Sequence, residues 1–358
     1  MDISAPSTLV LIQAILLSLL LALAFAQISL RLTSRIRLID VPGSEPHKLH
    51  ARPTPIAGGI ALLSTLLLSD LLLGGFTNLA VKATFIAVIP LFIFGLWDDF
   101  RSISPLLKIV GQMTAALILI WMGVSIQIFE SPEFFLHSGN RLDVYLDWLL
   151  TILWVVGITN AFNFVDSMDG LAVGLGGTAA AFFTMMTLEA NQFILAEHSA
   201  IILGACIGLY FFNSPPARLF MGDSGAQTLG FVLAVLAIAY SPQAANQSTS
   251  WIVPILLLGI PVFDIVLVTS SRLRRGHPVY SAGHDHTYHR LVRLGLDSHR
   301  AVLIMQFTAL VLGGVALFIL NQPPLIANLV FALVTLVGML AIIALDRPEL
   351  WPEPEGSE

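Results

Sequence analysis

Four acidic groups recur at the ends of apolar stretches in this chain. They are Asp98-Asp99, the run Asn160-Ala161-Phe162-Asn163-Phe164-Val165-Asp166-Ser167-Met168-Asp169-Gly170, the turn Met221-Gly222-Asp223-Ser224-Gly225, and Asp264. Carboxylates and amides gathered without cysteine form a hard oxygen donor set. Such a set suits Mg²⁺ or Mn²⁺ and the phosphate chemistry these ions serve. The chain is 56% hydrophobic and only 11% charged. Ionisable groups beside lipid are costly, so their clustering marks a site.

Each cluster has a chemical reading and a plainer one. In Asp98-Asp99, one carboxylate can orient or deprotonate a phosphate nucleophile while its neighbour lies near a metal. The plainer reading is a solvated pair that ends a span. Lys108, ten residues on from Asp98, is either a snorkelling lysine or a phosphate contact. In the Asn160 run, Asn163, Asp166 and Asp169 are spaced by three, which puts them on one face of a continuing helical turn. A helix cap explains one of these residues but not four. In Arg218-Leu219-Phe220-Met221-Gly222-Asp223-Ser224-Gly225, the glycines let backbone approach a ligand, Asp223 can hold a cation and Phe220 can stack on a planar base.

The later segment Gly283-His284-Asp285-His286-Thr287-Tyr288-His289-Arg290-Leu291-Val292-Arg293 is a basic, hydrogen-bonding surface. It fits a diphosphate better than zinc, since no cysteine accompanies it. Asp264 sits three residues after Pro261, within an apolar stretch, as a site residue or as a buried partner for a donor. The basic loop with His47, Lys48, His50 and Arg52 leads into Gly58-Gly59, a close-packing helix start, and suits a phosphate head group.

The elements that must position these groups are membrane helices. Mean hydropathy is +0.85 over 358 residues, and long apolar stretches repeat from end to end, which excludes an ordinary soluble domain. The expected fold is all-α and polytopic, with spans near 8–30, 56–75, 79–97, 106–128, 146–163, 171–188, 198–213, 225–241, 251–271, 299–320 and 325–345. Eleven spans with the N-terminus outside put every basic residue except Lys82 and Arg141, of 17 in all, on the inner side. That asymmetry also places the C-terminus in the cytoplasm. All four acidic clusters then share the cytoplasmic face. One integral domain over 1–345 is expected, followed by a disordered cytoplasmic tail over 346–358 that is rich in Pro and Glu. The single cysteine, Cys206, lies in an apolar span and reads as packing.

Taken together and in this order, the motifs resemble the polyprenyl-phosphate N-acetylhexosamine-1-phosphate transferase family. The resemblance runs from about residue 38 to residue 295. It covers the His-Lys…Arg-Pro-Thr-Pro…Gly-Gly loop, the Asp-Asp pair, the Asn160–Gly170 run, the Gly-Asp-Ser-Gly turn and the histidine loop. It implies an active site on the cytoplasmic side of the cell membrane, where a polyprenyl phosphate attacks the β-phosphate of a UDP-sugar and expels UMP. By the same resemblance Asp98 and Asp99 match the catalytic aspartate pair, and Asn163 and Asp223 match the Mg²⁺ ligands. Asp169 matches the residue that recognises uracil, and Phe220 matches the aromatic that stacks on it. Asp166 matches an acidic position once proposed as a nucleophile. Lys48 and Lys108 match basic residues near the phosphates. Asn160 opens the substrate-binding run, while His286, His289 and Arg290 fall on the histidine motif that faces the sugar diphosphate. One departure is Tyr288, which stands where GlcNAc-1-phosphate transferases commonly carry a middle histidine.

The expected activity is therefore transfer of GlcNAc-1-phosphate from UDP-GlcNAc to undecaprenyl phosphate, with Mg²⁺ (or Mn²⁺) as cofactor. This would open a cell-envelope polysaccharide pathway. Expected partners are the two substrates and membrane lipid, without nucleic acid; a homodimer is allowed. A MurNAc-pentapeptide phosphotransferase ranks lower, because its His-His-His segment is missing. An ion or metabolite transporter ranks lower still, because the polar clusters lie at span ends rather than at the bilayer midplane. A CDP-alcohol phosphotransferase fails after Gly170, where its signature does not continue.

Overall fold

Apolar stretches of this length satisfy their backbone polar groups internally only as helices, and helices dominate the fold. The computed structural model describes residues 8–36, 38–40, 53–131, 137–242, 250–278, 283 and 285–351. Within them lie α1 (Thr8–Ile36), α2 (Gly58–Leu73), α3 (Leu79–Phe100), α4 (Pro105–Trp121), α5 (Arg141–Val165), α6 (Leu171–Glu189) and α7 (Phe193–Asn213). There follow α8 (Gly222–Ala239), α9 (Ile252–Leu257), α10 (Gly259–Arg275), α11 (Thr287–Arg293), α12 (Ser298–Leu320) and α13 (Pro324–Leu345). Eight of these are long and apolar enough to cross a membrane, and α2 and α4 are shorter apolar helices. The protein is a multi-pass helical membrane protein.

The innermost helix is α8, in which every residue from Ser224 to Ala237 is buried. Helices α3 and α5 pack along it, α2 covers its start, and α1, α6 and α7 form a neighbouring layer. Three glycines permit the closest approaches. A Cβ built on Gly59 would lie 2.7 Å from the Gly225 nitrogen, and one on Gly95 would lie 2.8 Å from the Ser224 Cα. One on Gly58 would meet the Met221 Cα at 2.6 Å. The expectation of a close-packing start at Gly58-Gly59 is met, and its partner is the N-terminus of α8.

Local caps fix where the helices begin. Asn78 accepts from the Ala80 and Val81 amides at the start of α3, and Asn140 accepts from the Leu142 amide at the start of α5. The stretch expected as one span over 251–271 is broken at Leu258 into α9 and α10. Pro261 explains the break: it has no amide to offer the Leu257 carbonyl. At the rim, α13 buries only Ala327, and its many exposed apolar side chains suit contact with lipid.

Two details differ from a purely helical expectation. A two-stranded antiparallel pair joins β1 (Ile39–Asp40) to β2 (Thr54–Pro55), and Ile56 bridges to Phe220. The amides of Ala57 and Gly58 both reach the Phe220 carbonyl. This small sheet ties the end of the basic loop to the turn that precedes α8. The start of the expected disordered tail is also ordered: residues 348–350 form a 3-10 turn, and Trp351 donates to Asp346 at 3.0 Å. Residues 352–358 lie outside the described residues.

Candidate active site

The end of α3 and the start of α8 meet through Asp99. Its Oδ1 accepts from the Asp223 amide at 2.7 Å. Its Oδ2 accepts from the Ser224 amide at 3.2 Å and from the Ser224 hydroxyl at 2.5 Å. A carboxylate at a helix N-terminus satisfies otherwise unpaired amides and complements the helix dipole. Asp99 therefore anchors α8. Of the expected Asp98-Asp99 pair, Asp99 has both oxygens committed to this cap.

Asp98 faces the other way. Its Oδ1 accepts from the Ile103 amide at 2.9 Å, while its Oδ2 pairs with Lys108 at 2.8 Å. The same ammonium reaches the Asp223 Oδ2 at 2.5 Å. Three helices thus meet at one cation: α3 brings Asp98, α4 brings Lys108 and α8 brings Asp223. The side chains of all three keep some solvent access, as a substrate site requires. Lys108 is a member of the site rather than a snorkelling residue.

Below this junction runs an amide chain. Gln227 donates to the Asp223 Oδ2 at 3.0 Å, and Gln112 donates to the Gln227 Oε1 at 3.1 Å. Asn160 donates to the Gln112 Oε1 at 2.6 Å and receives a bond back at 3.2 Å. Asn160, expected to bind substrate, is engaged here as a support one layer beneath. The glutamines lie four residues from Lys108 and Asp223 respectively, on the same helix faces, which is the local signal that would have pointed to them.

The end of α5 brings Asn163, Asp166 and Asp169 to the same region. Asp166 follows the last turn of α5 as its C-cap, and Gly170 then takes φ +75°, the left-handed region open to glycine. Burial, reinforced by the charges of Asp223, Asp99 and Asp169, pushes the Asp166 carboxyl well above its ordinary range. Asp169 accepts from the Ala217 amide at 2.9 Å. Asn213 accepts from the Gly170 amide and donates to the Leu219 carbonyl, fastening this turn to the segment that carries Phe220. An open cleft of about 520 Å³, lined by Thr54, Ser214, Pro215, Ala217 and Arg218 among others, adjoins Asp169.

The histidine loop is held from two directions. Asp264, buried in α10, accepts from His286 Nδ1 at 2.8 Å and from the Thr287 amide at 2.6 Å. Asp285 accepts from Arg272 at 2.7 Å and from Arg275 at 2.6 Å, and these pairings hold its carboxyl well below the usual range. The Tyr288 hydroxyl lies 2.6 Å from His289 Nε2. The rings of His286 and His289 are 6.2 Å apart, and Phe164 lies 5.3 Å from His286, which sets the loop against the end of α5.

Arg290 requires a correction. It was expected to meet a diphosphate, yet its guanidinium is fully buried. It donates to the Asp285 carbonyl at 2.9 Å, the Leu345 carbonyl at 2.8 Å and Asp346 at 3.0 Å. Arg290 ties the loop to the tail of α13. Lys48 lies outside the described residues.

The donors present fit a divalent ion. Asp223 lies within electrostatic reach of Asp98, Asp99 and Asp166, and Lys108 is the cation paired among them. The donors are oxygens, and Asp223 and Asn163 come from separate helices. Among the described residues, no three His, Cys, Asp or Glu side chains converge into a ready-made cage. Mg²⁺ commonly binds through one or two carboxylates plus water and substrate phosphate, so a sparse set is compatible with it.

Fold and site together define a polytopic membrane protein with a carboxylate-rich site centred on one lysine. Residues 81–241 match the family model described as glycosyl transferase family 4. The chain is 30% identical over 351 residues to "Decaprenyl-phosphate N-acetylglucosaminephosphotransferase" of Mycobacterium tuberculosis, with 88% of this chain and 84% of that protein covered. It is 28% identical to "Probable undecaprenyl-phosphate N-acetylglucosaminyl 1-phosphate transferase" of Bacillus subtilis, covering 93% of this chain and 91% of that protein. A "Phospho-N-acetylmuramoyl-pentapeptide-transferase" of Halalkalibacterium halodurans is 26% identical, with 87% and 97% covered. The chain belongs to the polyprenyl-phosphate N-acetylhexosamine-1-phosphate transferase family.

Proposed function

We propose that this protein transfers GlcNAc-1-phosphate from UDP-GlcNAc to a polyprenyl phosphate such as undecaprenyl phosphate. The products are UMP and a polyprenyl-diphosphate-linked sugar, which would start a cell-envelope polysaccharide. The observation that carries this reading is the Asp98–Lys108–Asp223 junction, where three helices bring two carboxylates to one ammonium. The named relatives support the sugar and the lipid carrier.

In the reaction, a non-bridging oxygen of the lipid phosphate attacks the β-phosphorus of UDP-GlcNAc. The bond from that phosphorus to the bridging oxygen breaks, and the electron pair leaves with UMP. Asp98 orients the lipid phosphate and takes any remaining proton. The lipid phosphate is largely ionised at neutral pH, so a weak base is enough. Lys108 offsets charge between the attacking and leaving oxygens. Asp223 and Asn163 would hold Mg²⁺ or Mn²⁺, which supplies charge neutralisation of the diphosphate when bound. Asp169 and Phe220 flank the base, and His286 and His289 face the sugar diphosphate. Burial and the neighbouring carboxylates push the Asp166 carboxyl upward, which suits it to hydrogen bonding rather than to acting as a nucleophile.

In this reading the chain crosses eleven times, with α9 and α10 jointly forming one broken crossing, the N-terminus outside and the site in the cytoplasm. The positive-inside asymmetry supports that orientation, as does the shared position of the site residues at one set of helix ends. The test is UMP release by purified protein given undecaprenyl phosphate and a panel of UDP-sugars, with and without Mg²⁺. Release with UDP-GlcNAc that stops on chelation is the expected result. Turnover of UDP-MurNAc-pentapeptide alone would reassign the substrate.

A further inference from the structure

We infer that Asp264 is a positioning residue for His286, holding the ring by Nδ1 so that Nε2 is presented to the substrate diphosphate. This rests on the transferase reading above and adds to it a residue outside the reacting centre. Asp264 is buried in an apolar helix, where a lone carboxylate is costly, and both its oxygens are spent on the histidine loop. A carboxylate beside Nδ1 fixes that nitrogen as the protonated one. The ring nitrogen left for other partners is Nε2. The ring rests against Phe164, next to Asn163, and His289 lies 6.2 Å away, so His286 borders the reacting region.

The second oxygen of Asp264 takes the Thr287 amide, so one carboxylate sets both the ring and the backbone that carries it. Among the described residues, the titratable groups bearing on His286 are Asp264 from α10, Asp285 in the loop and His289 on α11. Asp285 is already matched by Arg272 and Arg275. Asp264 is thus the carboxylate committed to His286, and the break before α10 brings it to the loop.

Asp264→Asn keeps an oxygen for the Thr287 amide and removes the charge. The expected outcome is a fall in kcat of at least about tenfold at pH 8, with KM for UDP-GlcNAc changed less than about threefold. Histidine ¹⁵N spectra of the full chain in detergent, with His286 assigned from His286→Gln, should show Nδ1 carrying the proton. A folded Asp264→Asn variant with the wild-type kcat and spectrum overturns the inference and leaves the transferase reading intact. Absence of UMP release by the wild type overturns that reading instead. If Asp264→Asn does not fold, the wild-type spectrum decides, since an unprotonated Nδ1 would exclude the assigned geometry.

Discussion

Asp99 receives both the backbone amide and the hydroxyl of Ser224, across 125 residues of sequence. With its other oxygen on the Asp223 amide, it fixes the first turn of α8 and hence the direction of the Asp223 side chain. Two adjacent aspartates therefore divide the work: Asp98 meets the cation, and Asp99 aims the carboxylate that shares it.

Asp99→Asn places an amide group against donors that need an acceptor. Loss of this cap should cost about 1–2 kcal/mol of stability and lower turnover by at least about tenfold through a displaced Asp223. UDP-GlcNAc affinity should stay within about threefold. Thermal unfolding, UMP release and equilibrium binding measure these separately. A variant with normal turnover would remove the anchoring role.

Lys108→Gln removes the cation between Asp98 and Asp223. Repulsion between the two carboxylates and the anionic substrates is then uncompensated, and kcat should drop by about 100-fold. The expected protein is folded, with its unfolding midpoint close to that of the wild type. Undiminished kcat would mean that the ammonium only neutralises the resting site.

Asp285→Asn tests the clamp formed with Arg272 and Arg275. Breaking a buried ion pair by removing one partner costs about 3–5 kcal/mol. The Asp285 carboxyl lies well below its ordinary value in the folded protein. Its stabilisation is therefore present above the unfolded value and fades as pH falls through the folded one. The midpoint difference between wild type and variant should be full at pH 7 and shrink below about pH 4. A difference that grows on acidification would contradict the pairing.

Gly95→Val inserts a side chain where α3 touches Ser224. Overpacking of this kind costs about 1–3 kcal/mol, and the strain falls on the turn that Asp99 and Asp223 share. Stability and turnover should fall together, whereas Gly314→Val, with nothing within 4 Å of a built Cβ, should change neither. Equal behaviour of the two variants would show that the α3–α8 approach is not limiting.

The pieces of the site were legible to different degrees. The spacing of Asn163, Asp166 and Asp169 reads as one face of a continuing helix, but α5 ends at Val165 and the two aspartates lie on the turn that follows. Lys108 was ambiguous, since snorkelling and phosphate binding give the same local pattern. Gln112 and Gln227 show in sequence only a four-residue spacing from Lys108 and Asp223, and their contact with each other appears only in the folded bundle. Arg290 was misread because its partners, Leu345 and Asp346, lie more than fifty residues away. Isolated within a basic loop, a buried arginine and a phosphate-binding one look alike.

By itself the sequence determined that the chain crosses a membrane many times, where the apolar stretches run, and that its carboxylates cluster at their ends. Those are local properties, because hydrogen-bond satisfaction in lipid and the cost of charge act on each segment separately. Only the tertiary structure decided which carboxylate meets Lys108, which one caps α8, and which histidine nitrogen is left free by Asp264. Those choices depend on how closely helices approach, and here Gly58, Gly59 and Gly95 set that distance. Pairing across a hundred residues is a property of packing, and no single segment contains it.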